Sequence, residues 1–134
     1  MIDKPLFKRS LFIFFVISIL NWMGLFFYLH WTIWWFDVFL HFLGGFCAVC
    51  ALLSLNYFRH LSFRKTFVIA LIGVFCIGVL WEIFELIIGG TSFSDGSIYW
   101  FDTVSDLILD IGGGMLGIKY SLKVLTKSRL PLYA

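Results

Sequence analysis

Four long apolar segments constrain this chain more than any other feature of its sequence. Each has about 20 residues and few charges, and about 20 residues at ~1.5 Å each are needed for a helix to cross the hydrocarbon core of a bilayer. The 134 residues are 61% hydrophobic and 13% charged, and a water-soluble domain of this length could not bury so much apolar surface. The sequence therefore predicts membrane-spanning helices at residues 11–30, 37–58, 66–88 and 101–118.

The segments between these helices are short. Short connections place consecutive helices antiparallel and next to each other. We therefore expect an all-α, polytopic membrane protein in which residues 1–134 form a single four-transmembrane-helix bundle.

Basic residues predict the orientation of the bundle, because short cytoplasmic segments are enriched in Lys and Arg. All of them fall on one side, so both termini are expected to be cytoplasmic in a multi-pass protein of the cell (inner) membrane. The net charge of +2 follows from this topology and does not indicate nucleic acid as a partner. Membrane lipids are the expected partners, and a homo-oligomer or a membrane protein partner stays open. The basic residues are Lys4, Lys8, Arg9, Arg59, Arg64, Lys65, Lys119, Lys123, Lys127 and Arg129.

Glycines and aromatic residues have structural explanations. Glycines within the predicted second, third and fourth helices allow close approach of helix backbones, and Gly113 and Gly117 form a small-x3-small pair. Aromatic residues at the ends of the predicted helices indicate a belt at the outer membrane interface. They are Trp31, Trp34, Trp35, Tyr99 and Trp100.

Acidic residues inside the predicted spans are the most informative polar feature. Each central acid costs on the order of 3 kcal/mol on insertion scales, and no Lys or Arg lies in the spans to pair with it. The acids and one histidine recur at intervals of three or four residues, so those of each helix share one face. These residues are Asp37 and His41, then Glu82 and Glu85, then Asp102, Asp106 and Asp110.

The same residues also share a depth in the membrane. Helical rise places the level of His41, Glu82, Glu85 and Asp106 about 5 to 9 Å below the outer boundary. Asp37 and Asp102 would lie at the mouth and Asp110 one turn deeper. Three helices are therefore expected to turn their polar faces into one outward-opening cavity.

Two species could neutralise such a cavity. A divalent cation would hold the carboxylates in their ionised form, with oxygen ligands suiting Mg, Ca or Mn and the imidazole making Zn or Fe suitable as well. Protons shared among the acids are the alternative, and polar contacts that only lock the bundle are another. Six acids with a histidine favour the cation, because a proton relay usually needs only one or two acids. The predicted ligands are Asp37, His41, Glu82, Glu85, Asp102 and Asp106.

The three acids of the predicted fourth helix receive different roles. Asp106 is expected to be a direct ligand, and Asp102 a residue of the mouth. No partner is expected at the level of Asp110, which is interpreted as a supporting or protonated group.

Three segments of the chain resemble a known family. "WFDVFLHFLGGF", "WEIFELI" and "DTVSDLILDIGGGMLG" are similar to the D-x3-H, E-x2-E and D-x3-D segments of the YjdF-like membrane proteins and, more distantly, to the VanZ-like proteins linked to glycopeptide resistance. The resemblance covers residues 35–118 and leaves the first helix without a motif. It implies a shared polar site and supplies no reaction. The residues that it carries over are Asp37, His41, Glu82, Glu85, Asp102 and Asp106.

Three classes of function fit these observations. A metal-dependent hydrolase or transferase could direct an activated water at a membrane lipid or a cell-envelope intermediate, with His41 or Glu85 as general base. No Lys or Arg lines the cavity to hold a phosphate, which argues against this class. A cation or proton transport subunit and a non-catalytic accessory subunit are the other two. We predict an outward-facing site for a divalent cation (Mg, Mn, Ca or Zn), and the sequence leaves catalysis open.

Overall fold

A computed structural model of the chain describes residues 3–89 and 91–127, and these described residues contain helices and no strand. The α-helices are α1 (Lys4–Phe26), α2 (Leu29–Thr32), α3 (Trp34–Leu53), α4 (Phe63–Ile88) and α5 (Ser97–Lys127). Two short 3-10 turns, Asn56–His60 and Phe93–Asp95, lie in the connections before α4 and α5. The four long helices overlap the four predicted ones, with shifted ends.

Helix α1 begins at Lys4 rather than at residue 11 because the local sequence caps it there. The Asp3 carboxylate accepts a hydrogen bond from the backbone N–H of Leu6 at 3.1 Å, and Pro5 occupies the first turn, where its missing N–H costs nothing. The backbone N–H of Asp3 also donates to the carbonyl of Ser54 at 2.7 Å. This bond ties the start of α1 to the end of α3.

The connection from α1 to α3 contains the one non-glycine residue with a positive φ in the described part of the chain. Tyr28 has φ 58°, a left-handed conformation that a right-handed helix cannot continue through. Helix α1 therefore ends at Phe26, and α2 carries His30 back toward the start of α3. The prediction of one helix over residues 11–30 is corrected at this point.

Helices α1, α3 and α4 are long and apolar enough to cross a membrane. Helix α5 is the longest of the set at 31 residues, but its first half carries Asp102, Asp106 and Asp110. Length and composition alone therefore do not place it with the other three. Large apolar side chains such as those of Phe12 and Ile72 are exposed on the outer faces of α1 and α4, as lipid contact requires.

The aromatic residues at the ends of the helices divide into two groups. Trp31, Trp34, Trp35 and Trp100 are exposed, as expected for an interfacial belt. Tyr99 is only 5% exposed and packs edge-on against Phe93 and Trp100. The interpretation of Tyr99 as a belt residue was therefore wrong.

Helix α3 lies at the centre of the fold and packs against α1, α4 and α5. Glycines allow α3 and α5 to touch backbone to backbone: a Cβ atom at Gly45 would overlap the carbonyl of Asp110, and one at Gly113 would overlap the carbonyl of Phe42. The predicted role of the glycines in helix packing is thereby confirmed at these positions. The close approach also sets Asp106 and Asp110 of α5 beside the face of α3 that carries His41.

The apolar core lies at the end of the fold where α1 begins and α3 ends, which we call the terminal end. Leu6 of α1, Val49 and Leu53 of α3 and Val74 of α4 are all almost completely buried there. Ile118 of α5 completes this core. The polar residues discussed below lie toward the opposite end, which we call the site end.

Candidate metal centre

His41 of α3 is the centre of the polar cluster, with a side chain only 5% exposed. Its Nε2 atom lies 3.9 Å from Oδ2 of Asp37, one turn earlier on α3, and 3.8 Å from Oδ2 of Asp106 on α5. One potential ligand atom from each of these three residues lies within 4.8 Å of the other two. Asp106 is buried and Asp37 is partly exposed.

These separations suit a shared metal ion better than direct hydrogen bonds. A nitrogen–oxygen distance of 3.8 Å is too long for a hydrogen bond. Metal–ligand bonds of ~2.0–2.6 Å allow two ligands of one ion to lie up to ~4–5 Å apart. The group of Asp37, His41 and Asp106 could therefore hold a metal ion, and its oxygen and imidazole ligands are compatible with several divalent cations.

The second ring nitrogen of His41 faces another carboxylate. Nδ1 lies 3.5 Å from Oδ2 of Asp110, which is itself buried. Room for this carboxylate comes from Gly78 of α4, where any Cβ atom would press on Asp110 Oδ2. The expectation that Asp110 lacks a partner at its own depth was wrong, because the imidazole ring reaches from the level of Asp106 to that of Asp110.

Asp37 is held from its other side by His30 of α2. His30 Nδ1 lies 3.0 Å from Oδ1 of Asp37, so Oδ2 remains directed at His41. The His30 ring packs edge-on against Phe36 and lies against Gly24 of α1, where a Cβ atom would clash with it. The structure thus makes His30 a partner of Asp37.

Glu82 of α4 lies beside this group, and one of its carboxylate oxygens is unpaired. Thr103 of α5 donates its hydroxyl to Oε2 of Glu82 at 2.8 Å. Oε1 is buried without a hydrogen-bond partner, and the Glu82 residue is only 5% exposed. A buried, unpaired carboxylate oxygen is costly unless a cation or a proton meets it.

Glu85 and Asp102 lie further from His41, outside the group of three. Oε1 of Glu85 accepts a hydrogen bond from the indole N–H of Trp81 at 3.0 Å, and the Asp102 side chain is exposed. The structure thus brings together Asp37, His41 and Asp106 from the predicted ligand set. Glu82, Glu85 and Asp102 surround them.

Two partners of the site were absent from the sequence prediction. Thr103 carries a usable signal, since it precedes Asp106 by three positions and Asp110 by seven and so shares their helix face. His30 carries no such signal, because the extended backbone of Ile33, with φ -122° and ψ 95°, breaks the helical period between His30 and Asp37.

These observations define a helical membrane protein in which charged residues of α3 and α5 converge on a group that could hold a metal ion. The chain belongs to the family described as predicted membrane protein (DUF2238), whose family model matches residues 4–127. The match confirms the resemblance to the YjdF-like proteins and extends it to α1, for which the sequence motifs gave no resemblance. Neither the curated proteins nor the solved structures yielded a match.

Proposed function

We propose that this chain is a four-span protein of the cell (inner) membrane that binds a divalent cation in an outward-facing acidic site. The observation that carries the proposal is the setting of His41. Its Nε2 faces two carboxylates at 3.8 and 3.9 Å, while its Nδ1 faces a third at 3.5 Å.

This setting matches the way histidines bind metals in proteins. A metal-binding histidine almost always donates its other ring N–H to a carboxylate or carbonyl, which fixes the tautomer and orients the ring. In this arrangement the Nδ1 proton of His41 points to Asp110, and Nε2 is free to bind an ion together with Asp37 and Asp106. Asp110 then acts through His41 and is not itself a ligand.

A purely structural role for the cluster is less well supported. Residues that only brace a bundle would pair at hydrogen-bond distance, whereas His41 Nε2 stands too far from Asp37 and Asp106 for such bonds. Oε1 of Glu82 also lacks a partner. Both features are accounted for by a cation that draws these oxygens inward.

The proposed orientation and the fourth span are supported by the placement of basic residues. Lys4, Lys8 and Arg9 start α1 at the terminal end, and the guanidinium of Arg9 donates to the Tyr120 hydroxyl of α5 at 2.7 Å. The later parts of α5 therefore lie at this same end, which would be cytoplasmic. A membrane-crossing α5 would place Asp106 and Asp110 inside the bundle against α3 rather than against lipid.

A catalytic role is the second candidate, because Glu85 stands apart from the three grouped residues. A bound divalent cation would lower the pKa of a coordinated water and so supply a nucleophile. Both nitrogens of His41 are engaged in the proposed arrangement, so of the two predicted bases, His41 and Glu85, Glu85 is the one able to accept a proton. The substrate would be a membrane lipid or a cell-envelope intermediate, in keeping with the distant VanZ-like resemblance.

Metal content tests the proposal. The protein is purified without chelator, and its divalent metals are measured by elemental analysis in the same detergent for each variant. We expect bound metal in the wild type and in Asp95→Asn, an exposed acid in the loop before α5. Asp106→Asn should lose most of it, because the change removes a charged ligand. Equal metal content in folded Asp106→Asn and wild-type protein would contradict the proposal.

A further inference from the structure

A cavity of about 530 Å³ lies between α1, α3 and α4, and it extends well beyond the metal centre. Its α1 wall runs from Phe7 to Asn21, a distance of about 21 Å by helical rise. Its floor is the face of α3 from Asp37 to Ala51. The volume lies within the range of ~300–1,000 Å³ typical of small-molecule sites, and we call this cavity the groove.

The groove exists because α1 is anchored only near its ends. Leu6 and Ser10 are buried at the terminal end, and Gly24 is buried at the site end against His30 and Phe36. No residue between Ser10 and Gly24 is buried. The middle of α1 therefore covers α3 without packing tightly onto it.

The groove is open on the side between α1 and α4. Within the described residues α1 packs mainly on α3, while α4 packs on α5 and α3, and α1 and α4 share at most marginal contact. Ile77, Gly78 and Trp81 are the α4 residues at the groove wall. In a bilayer this gap faces hydrocarbon, so lipid chains have direct access to it.

The polarity of the groove changes along its length. Toward the terminal end its walls are mostly apolar, with Phe7, Leu11 and Ala51 among them. Ser10 also lines this end, but its hydroxyl donates to the Phe7 carbonyl at 2.8 Å. Toward the site end they include Asn21, Asp37 and His41. The Asn21 side chain offers an amide NH₂, which can donate to an ester carbonyl.

We propose that the groove binds one acyl chain of a membrane phospholipid, with the chain terminus near Phe7 and Ala51 and the ester group near Asn21. The hydrocarbon core of a bilayer is ~30 Å thick, so each leaflet contributes ~15 Å. The groove is longer than this, at about 21 Å. It therefore selects an extended chain over the disordered chains of surrounding lipid. The ester end then lies at the end of the groove that Asp37 and His41 of the proposed cation site also line.

Photocrosslinking tests this assignment. The protein is reconstituted in vesicles of phosphatidylethanolamine and phosphatidylglycerol that contain a trace of phosphatidylcholine with a diazirine at the end of one acyl chain. After illumination, peptide mass spectrometry should find label concentrated on Leu11, Ala48 and Ala51. The exposed Ile72 on the outer face of α4 should carry several-fold less label.

Two pairs of variants give this experiment its controls. Ala48→Trp fills the groove and should lower its labelling several-fold, whereas Ile72→Trp on the outer face should not. Phe14 lines the groove and Phe15 does not, although both are about equally exposed at 62% and 63%. Phe14→Ala should therefore widen the groove and raise labelling, whereas Phe15→Ala should leave it unchanged.

Three results would overturn the assignment. Equal labelling of the groove and of the Ile72 face would indicate ordinary surrounding lipid. Labelling that neither Ala48→Trp nor Phe14→Ala changes would place the acyl chain outside the groove. Crosslinks at α1 between two copies of the protein would show that a second copy occupies the groove. Acyl-chain contacts need no cation, so the labelling is expected to persist when a chelator is present. A failure of the metal proposal would therefore not affect the outcome of the labelling experiment.

Discussion

Two adjacent glycines on α5 offer a sharp test of how α3 and α5 pack. A Cβ atom at Gly112 would meet nothing closer than the Phe42 ring at 3.8 Å, which is an ordinary contact. A Cβ atom at Gly113 would overlap the carbonyl oxygen of Phe42 and lie 2.8 Å from its carbonyl carbon. Backbone atoms cannot rotate away, so α3 and α5 must move apart to accept Gly113→Ala.

The expected free energies of unfolding follow from these contacts. Replacing glycine by alanine within a helix favours folding by ~1 kcal/mol at either position. Overpacking a fitted interface costs ~1–3 kcal/mol, and only Gly113→Ala incurs that cost. The two variants should therefore differ by ~1–3 kcal/mol, with Gly112→Ala at or above the wild-type stability and Gly113→Ala below Gly112→Ala.

The comparison is made by denaturant titration of both variants in the same detergent, followed by helical circular dichroism. Because the substitution is identical and the positions are adjacent, effects on detergent binding and unfolded-state entropy largely cancel. If Gly113→Ala proves as stable as Gly112→Ala, the backbone contact between α3 and α5 is not as described. The placement of Asp106 beside His41 would then lose its basis.

Three further predictions concern orientation, chemistry and the support of His41. A cysteine introduced at Ser94 should react with a membrane-impermeant thiol reagent in intact cells and one at Ser62 should not; the reverse pattern would contradict the proposed topology. Glu85→Gln should leave the protein folded and abundant but abolish whatever phenotype the wild type confers, and a loss that instead tracks abundance would indicate a bracing role. Asp110→Asn should weaken divalent-cation binding by ~10–100-fold, as other losses of a histidine-orienting group do. Unchanged affinity in a Mn²⁺ titration would remove Asp110 from its supporting role.

The helices themselves could be predicted from the sequence because their physical cause is local. Long apolar runs fix where α1, α3 and α4 lie, and each predicted segment overlaps an observed helix. The ends were less predictable, since they depend on single contacts such as the Asp3 cap and the left-handed Tyr28. Helix α5 is not among the three described helices that are long and apolar enough to cross a membrane, because its acids interrupt its apolar surface.

Helical period explains which site residues could be predicted. It places Asp37 and His41 on one face of α3, and the structure brings that face to Asp106. Depth along each helix was a poorer guide to which residues would be partners, because it gives each side chain a single position. The His41 ring instead spans from Asp106 to Asp110.

Partners across helices could not be predicted in the same way. Thr103 meets Glu82 because α4 and α5 pack together. His30 meets Asp37 because a backbone turn directs α2 toward α3. Neither relation is present in the spacing of residues along one helix.

The most direct test of the metal centre is a measurement of what binds the ion. Mn²⁺ is added to the purified protein, and electron spin echo modulation detects any nitrogen bonded to the metal. We predict a histidine nitrogen signal in the wild type and its loss in His41→Gln. The signal should persist in His30→Gln, because the wild-type His30 ring contacts Asp37 through Nδ1 and is not a predicted ligand. A nitrogen signal that survives in His41→Gln, or its absence from the wild type, would contradict the assignment of His41 as a ligand.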